Sequence, residues 1–347
     1  MTASPAADAR EQHLAWQRKE LPAVEEVRPG VWSLPTPMPG SPLGYVLAYA
    51  IETDDGLALV DTGCPADECW DALMAGLAVL GRAPEEVSDV LITHVHFDHH
   101  GLTRRLVEAS GARVHMHRED AAWLERMLGA ESAPMTDWII DRGAPQDEAD
   151  RLADGLVTSL PRSEFARMPI GDRLVEDGDR PLPGRPELRA VWTPGHTDGH
   201  LCFELEDERL LLSGDHVLPR ITPHVTRPPG EAGNPLDAYL GSLRKVRDLD
   251  VVEVLPAHEY RFDDLACRID EMLDHHERRL EEIERAAAGT TTWDIARTIS
   301  WSRGWDGTEG IVRQTALSET FTHLRHLESL NRVRRTSKHP DIWDIAV

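Results

Sequence analysis

Apolar residues recur along the chain with two distinct periods. Short apolar or alternating runs at residues 31–34, 44–53, 57–60, 90–92, 112–116, 188–192, 201–205, 209–212 and 251–255 have the lengths and flanking turn residues of strands. Residues 67–80 and 102–110 carry apolar side chains at helical spacing, and Gly81 and Gly111 follow them as terminators. Strands and helices therefore alternate, which predicts a layered α/β arrangement.

Two stretches depart from that rhythm. Residues 119–168 are helical in pattern, acidic, and interrupted by Gly129, Pro134, Gly143, Pro145 and Pro161; Trp123, Met127, Met135, Trp138, Ile139 and Ile140 make the stretch apolar. An apolar helical insertion needs a partner surface, so it is read either as a cap over a ligand with an acyl-type portion or as a packed helical pair. At the other end, residues 267–288 place Ile269, Met272, Leu273, Leu280 and Ile283 at helical spacing before Gly289. Residues 292–300 and 311–330, followed by the basic run Arg332-Val333-Arg334-Arg335, resemble a small winged-helix unit. The expected organisation is an extension over 1–24, a main domain over 25–265 that contains the insertion at about 119–168, and a connecting helix with a small α domain over 266–347.

Composition narrows the partners. The 347 residues include 37 basic and 61 acidic side chains, a formal charge of −24, which argues against binding to nucleic acid or to an anionic membrane. Residues 289–347 hold eight basic and seven acidic residues, so nearly all the negative charge lies before them. Cys64, Cys69, Cys202 and Cys267 form no CxxC pair and fit free thiols in a reducing compartment. The polar residues 1–20 lack the apolar core of a signal peptide, and no apolar run has membrane length, so a cytoplasmic location is expected.

The candidate chemistry sits where the strands end. Thr93-His94-Val95-His96-Phe97-Asp98-His99-His100-Gly101 follows an apolar run and packs four zinc-type donors, His94, His96, Asp98 and His99, into six residues. Three later strand ends carry His196, Asp215 and His258, and Asp61-Thr62-Gly63 closes an earlier strand, where Asp61 is placed to orient a ligand imidazole. His200 and His216 flank these motifs as structural or substrate-facing residues, His224 falls in the entrance loop 219–233, and His115 and His117 have no evident partner.

In this order the five motifs resemble those of the metallo-β-lactamase-fold hydrolases, over roughly residues 25–265. The resemblance implies an αββα sandwich of two packed sheets with outer helices and a metal site at one edge. It implies one zinc held by His94, His96 and His196, a second by Asp98, His99 and His258, and Asp215 between them, although the same donors accept iron or manganese. It also implies attack of a metal-bridging hydroxide on an ester-type carbonyl, with Asp98 orienting the nucleophile or relaying its proton. A thioester of the acyl-CoA, acyl-carrier or hydroxyacyl-glutathione type, or a lactone, is the preferred small-molecule substrate, with a hydrophobic portion suggested by the insertion.

Several departures from related branches shape the expectation further. His96 stands where the redox-active flavodiiron members carry a glutamate, and the C-terminal part lacks the basic and aromatic pattern of glutathione binding in glyoxalase II. His100-Gly101 replaces the small residue and double glycine usual at that point. An endoribonuclease or phosphodiesterase using the winged-helix-like part is the alternative enzyme, and a non-enzymatic metal-binding protein the alternative of another class. Packing, homodimerisation and walling of the substrate pocket are the roles open to the C-terminal part.

Overall fold

The computed structural model describes residues 6, 9–129, 135–159, 167–226 and 233–346. Parts of the expected 1–24 extension, of the 119–168 insertion (Pro134 and Pro161 among them) and of the 219–233 loop lie outside these residues. The chain divides into two compact units, one comprising 1–129, 162–223 and 242–270, the other 130–161, 224–241 and 271–347.

The first unit opens with helix α1 (Arg10–Arg18) and is built on two sheets. Strands β1 (Glu25–Arg28), β2 (Val31–Pro37), β3 (Tyr45–Thr53), β4 (Gly56–Val60), β5 (Val87–Leu91), β6 (Arg113–His117) and β7 (Arg173–Val175) lie side by side in sequence order. The first four pair antiparallel, and β4 to β7 run parallel. The second sheet has the order β11 (Glu253–Pro256), β10 (Leu210–Gly214), β9 (Leu201–Leu205), β8 (Leu188–Trp192). The core lies between them: Tyr45, Leu47, Ile51, Val60 and Leu91 of the first sheet pack with Leu188, Ala190, Phe203, Leu205, Leu212 and Leu255 of the second. Helices α2 (Asp67–Val79), the single turn α3 (Phe97–His100) and α4 (Thr103–Ser110) connect the parallel strands. This is the αββα sandwich that the sequence led us to expect.

Strand β2 extends further than its pattern suggests, through Pro35 and Pro37. The reason is where the missing N–H groups would point. Pro35 lies opposite Leu47, whose own N–H turns away from β2 to donate to the Ala257 carbonyl at 2.7 Å, and β1 pairs with β2 only as far as Ser33. The prolines thus face an edge with no ladder to break.

The second unit contains α6 (Met135–Asp141) and α7 (Gln146–Ser159) of the insertion, then α10 (Thr292–Thr298), α11 (Gly310–Ser329) and a hairpin of β12 (Val333–Lys338) with β13 (Asp341–Ile345). Trp138, Ile139, Ala144, Ala149 and Leu152 of the insertion bury against Trp293, Ala296 and Leu317 of the C-terminal helices, with Met135 and Ile140 alongside. The apolar face read from the sequence therefore has a partner, and the packing reading accounts for these side chains. The basic run is also engaged: Arg332 pairs with Glu277 and Glu284, and Arg335 lies over the Trp343 ring. Helix α5 (Arg118–Gly129) follows β6, and α8 (Pro235–Arg247) and α9 (Leu265–Ala286) complete the described helices. Helix α8 has no counterpart among the expected elements, although its buried Leu236, Tyr239, Leu240, Leu243 and Val246 recur at helical spacing.

Candidate metal centre

The strand ends deliver the site. Parallel pairing sets the ends of β4 and β5 together, and the Asp61 N–H donates to the Leu91 carbonyl at 2.9 Å. Strands β10 and β11 are likewise parallel, with the Ala257 N–H on the Gly214 carbonyl at 3.0 Å, so Asp215 and His258 leave neighbouring strands. The Leu201 N–H donates to the Thr93 carbonyl at 2.7 Å and ties the second sheet to the histidine loop. All seven donors named from the sequence come together.

They form adjoining clusters. His94, His96 and His196 make one, and Asp98, His99 and His258 another, while His94, His99 and Asp215 form a third set that joins them. His96 Nδ1 lies 2.9 Å from His94 Nε2 and 3.1 Å from His196 Nε2. Asp215 reaches both groups: Oδ2 is 3.5 Å from His196 Nε2, and Oδ1 is 3.6 Å from His99 Nε2 and 3.3 Å from His258 Nε2. Asp98 Oδ2 lies 3.5 Å from His99 Nε2 and 3.4 Å from His258 Nε2.

These residues fit a metal. Donors bonded tetrahedrally at zinc–nitrogen distances of about 2.0–2.1 Å stand roughly 3.3 Å from one another, the spacing seen in both clusters. His99 Nε2, His258 Nε2 and Asp215 Oδ1 are buried atoms with no hydrogen-bond partner, all aimed at the same place. Native proteins rarely leave such groups without a partner unless an ion or water belongs there.

The facing imidazoles and carboxylates are strongly coupled. Burial disfavours the charged forms of His99 and His258, but facing carboxylates outweigh it, lifting His99 well above its ordinary range and His258 to about 10. Burial likewise opposes ionisation of Asp98 and Asp215, and the same imidazoles reverse it, holding both below the usual carboxylate range. His94 moves the other way, lowered by burial and by His99, His96 and His196, and so keeps the neutral form that offers a lone pair.

Hydrogen bonds around the clusters select which nitrogen faces inward. Asp61, in the left-handed region at φ 61°, accepts the Thr93 N–H and hydroxyl at 2.8 Å each and the His99 Nδ1–H at 2.8 Å, which leaves Nε2 for a ligand. His94 Nδ1 lies 3.0 Å from the Thr93 hydroxyl, and the His258 Nδ1–H donates to the Tyr45 carbonyl at 3.1 Å. Such partners fix ring orientation and tautomer.

The remaining histidines have other work. His100 spends one nitrogen on the Thr103 hydroxyl at 2.8 Å and the other on the Pro169 carbonyl at 2.9 Å, and burial lowers it to about 4. His200 meets the Thr193 hydroxyl at 2.8 Å and accepts the Asp215 N–H at 3.2 Å, which steadies the backbone of that aspartate. His115 pairs with Asp89 at 2.7 Å, His117 stacks on Trp192, and His216 is buried beside the site loops. His224 belongs to the second unit. One site residue escaped the sequence reading: Asp120, at the start of α5, is buried and accepts hydrogen bonds from two of the ligand loops.

Residues 41–258 match the family model described as the metallo-beta-lactamase superfamily. The chain belongs to that superfamily. Its members bind metal ions and are mostly hydrolases. Among solved structures, a metallo-beta-lactamase family protein of Thermus thermophilus is 29% identical with a TM-score of 0.77, covering 92% of this chain and 100% of that one. A beta-lactamase domain protein from Burkholderia ambifaria is 26% identical with a TM-score of 0.81, covering 93% and 94%. Among curated relatives of this metallo-beta-lactamase superfamily chain, the lactamase-like protein adaB of Aspergillus niger is 26% identical over 292 residues, 81% of this chain and 73% of that protein. An atrochrysone carboxyl ACP thioesterase of Aspergillus fumigatus is 26% identical over 265 residues, 76% of this chain and 67% of that protein.

Proposed function

We propose that this protein is a binuclear zinc hydrolase acting on an activated acyl group, most naturally a thioester carried by coenzyme A or an acyl-carrier domain. The observation that carries the reading is the placement of Asp215, whose two oxygens face the two donor clusters separately. That arrangement suits a carboxylate shared by two ions. The likeness to a protein named as an acyl-carrier thioesterase favours the thioester within the hydrolase class.

His94, His96 and His196 would hold one ion and Asp98, His99 and His258 the other, with Asp215 common to both. Bound zinc supplies a Lewis acid for the carbonyl and lowers the pKa of water towards about 7. The chain's own residues set the conditions for that chemistry. Asp61 fixes His99, Thr93 fixes His94, and the Tyr45 carbonyl fixes His258, so the donors need little reorganisation. Asp98, whose Oδ2 stands 3.5 Å from His99 Nε2 and 3.4 Å from His258 Nε2, is the residue we assign to orient the attacking water and relay its proton to the departing thiolate. The proposed place of action is the cytoplasm: Cys64, Cys69, Cys202 and Cys267 are free thiols, and among the described residues no helix is long and apolar enough to cross a membrane.

The test is a panel of acyl-CoA thioesters, lactones, nitrocefin, bis-p-nitrophenyl phosphate and short RNA, run with zinc-loaded protein. Release of free thiol without phosphodiester cleavage is expected, and Asp215→Ala should abolish it while the circular dichroism spectrum is kept. Phosphodiester cleavage without carbonyl turnover would replace this reading with that of a nuclease.

A further inference from the structure

Asp120 belongs to none of the five motifs, yet it is 1% exposed and its carboxylate is directed at the ligand loops. Oδ2 accepts the Val95 N–H at 2.8 Å and the Thr197 hydroxyl at 3.0 Å, and Oδ1 accepts the Gly199 N–H at 2.8 Å. Val95 stands between His94 and His96, and Thr197 follows His196. The two loops leave strands of different sheets, β5 and β8. The Leu201 N–H on the Thr93 carbonyl joins their outer ends, and the Asp120 carboxylate joins them beside the ligands themselves.

The chemistry of the group suits the task. Both oxygens of a carboxyl group can accept hydrogen bonds, and here three donors converge on them. Each of those buried donors would be left without an acceptor if the carboxylate were removed. The chain has also cleared the space: a Cβ on Gly199 would stand 2.5 Å from the Asp120 backbone nitrogen and 2.6 Å from its carboxyl carbon. Only glycine lets the carboxylate approach the Gly199 N–H. The close approach of residue 120, backbone and carboxylate alike, thus requires glycine at 199.

We propose that Asp120 is a positioning residue for the first metal site, setting the spacing of His94, His96 and His196 without touching the ion. The proposal rests on the reading that these three histidines hold a metal, and it is independent of which bond the enzyme hydrolyses.

It is tested by titrating metal-free protein with zinc against a chromophoric chelator, and with cobalt(II) followed by its visible absorption bands. Asp120→Asn keeps the shape but turns one acceptor into a donor. It should weaken zinc binding at one site by roughly 10- to 100-fold and alter the cobalt bands assigned to that site. Thr197→Val removes a single hydrogen bond and should cause a smaller loss in the same direction. A folded Asp120→Asn protein with wild-type zinc affinity and an unchanged cobalt spectrum would overturn the proposal. If Asp120→Asn does not fold, Thr197→Val decides, and wild-type affinity and spectrum there would overturn it equally. Wild-type protein that binds no zinc would overturn the metal reading and this proposal together, whereas metal binding without any hydrolysis would leave Asp120's role standing and remove only the catalytic reading.

Discussion

His100 and Gly101 depart from the small-residue pattern usual after the ligand motif, and their contacts explain why. His100 uses both ring nitrogens to pin the loop to Thr103 and to the Pro169 carbonyl, a buried anchor that a smaller residue would not provide. Gly101 admits no side chain, since a Cβ would lie 2.2 Å from the Phe97 carbonyl oxygen and 2.5 Å from Pro65 Cδ. Gly101→Ala is therefore expected to destabilise the protein by about 1–3 kcal/mol, read as a lower thermal midpoint. Asp61 would act at one remove from the proposed metal, through His99 and Thr93. Its replacement by alanine strips His99 Nδ1 and Thr93 of their acceptor, and zinc affinity should fall by roughly 10- to 100-fold while fold is kept; unchanged affinity in a chelator competition would contradict this. Histidine and aspartate at fixed spacing after strands announce themselves in a sequence, and all seven donors were legible for that reason. Asp120 was not, because its partners are a hydroxyl and two backbone N–H groups that only the folded chain brings together.

Elements were legible in proportion to their length and burial. Long, buried β3 and the helices α2 and α4 stand out from pattern alone, whereas β1 and β7, four and three residues long, carry too few side chains to show a period. The insertion helices were visible as apolar, but their partner was not, because Trp138 and Ile139 meet Trp293 and Leu317 across a long sequence separation. Helices α9 and α11 are joined by another contact that the pattern did not announce. His276 Nδ1 lies 3.3 Å from His323 Nε2 with the rings stacked, and His323 Nδ1–H donates to the Glu319 carbonyl at 2.8 Å. Burial lowers both imidazoles, that of His323 to about 3. A base whose folded pKa is depressed takes up its proton first in the unfolded chain, so stability falls as pH drops below 6.5, the ordinary histidine value. For His323 the loss at about pH 5.5 is on the order of 1 kcal/mol. His276 and His323 replaced together by leucine should flatten that acid limb of the unfolding free energy, and an acid limb as steep as that of the wild type would contradict the assignment.

At the scale of the whole molecule, charge and architecture separate the two ends of the chain. The formal charge of −24 resides almost entirely before residue 289, and the basic run after it is partly spent within its own unit on Glu277, Glu284 and Trp343. Polyanion binding therefore has little support from either. The sandwich itself was legible because five motifs at the ends of alternating elements imply parallel strands whose ends meet. The grouping of residues 130–161 with the C-terminal chain was not, since nothing local in those helices says which surface will cover them. His94, His96, Asp98, His99, His196, Asp215 and His258 lie in adjoining clusters of metal-type donors, which we propose hold two ions. Elemental analysis of protein produced in zinc-replete medium, compared with Asp215→Ala prepared in the same way, tests it most directly. About two zinc ions per wild-type chain and clearly fewer in the variant are predicted; wild-type protein that is folded and carries almost no metal would contradict it.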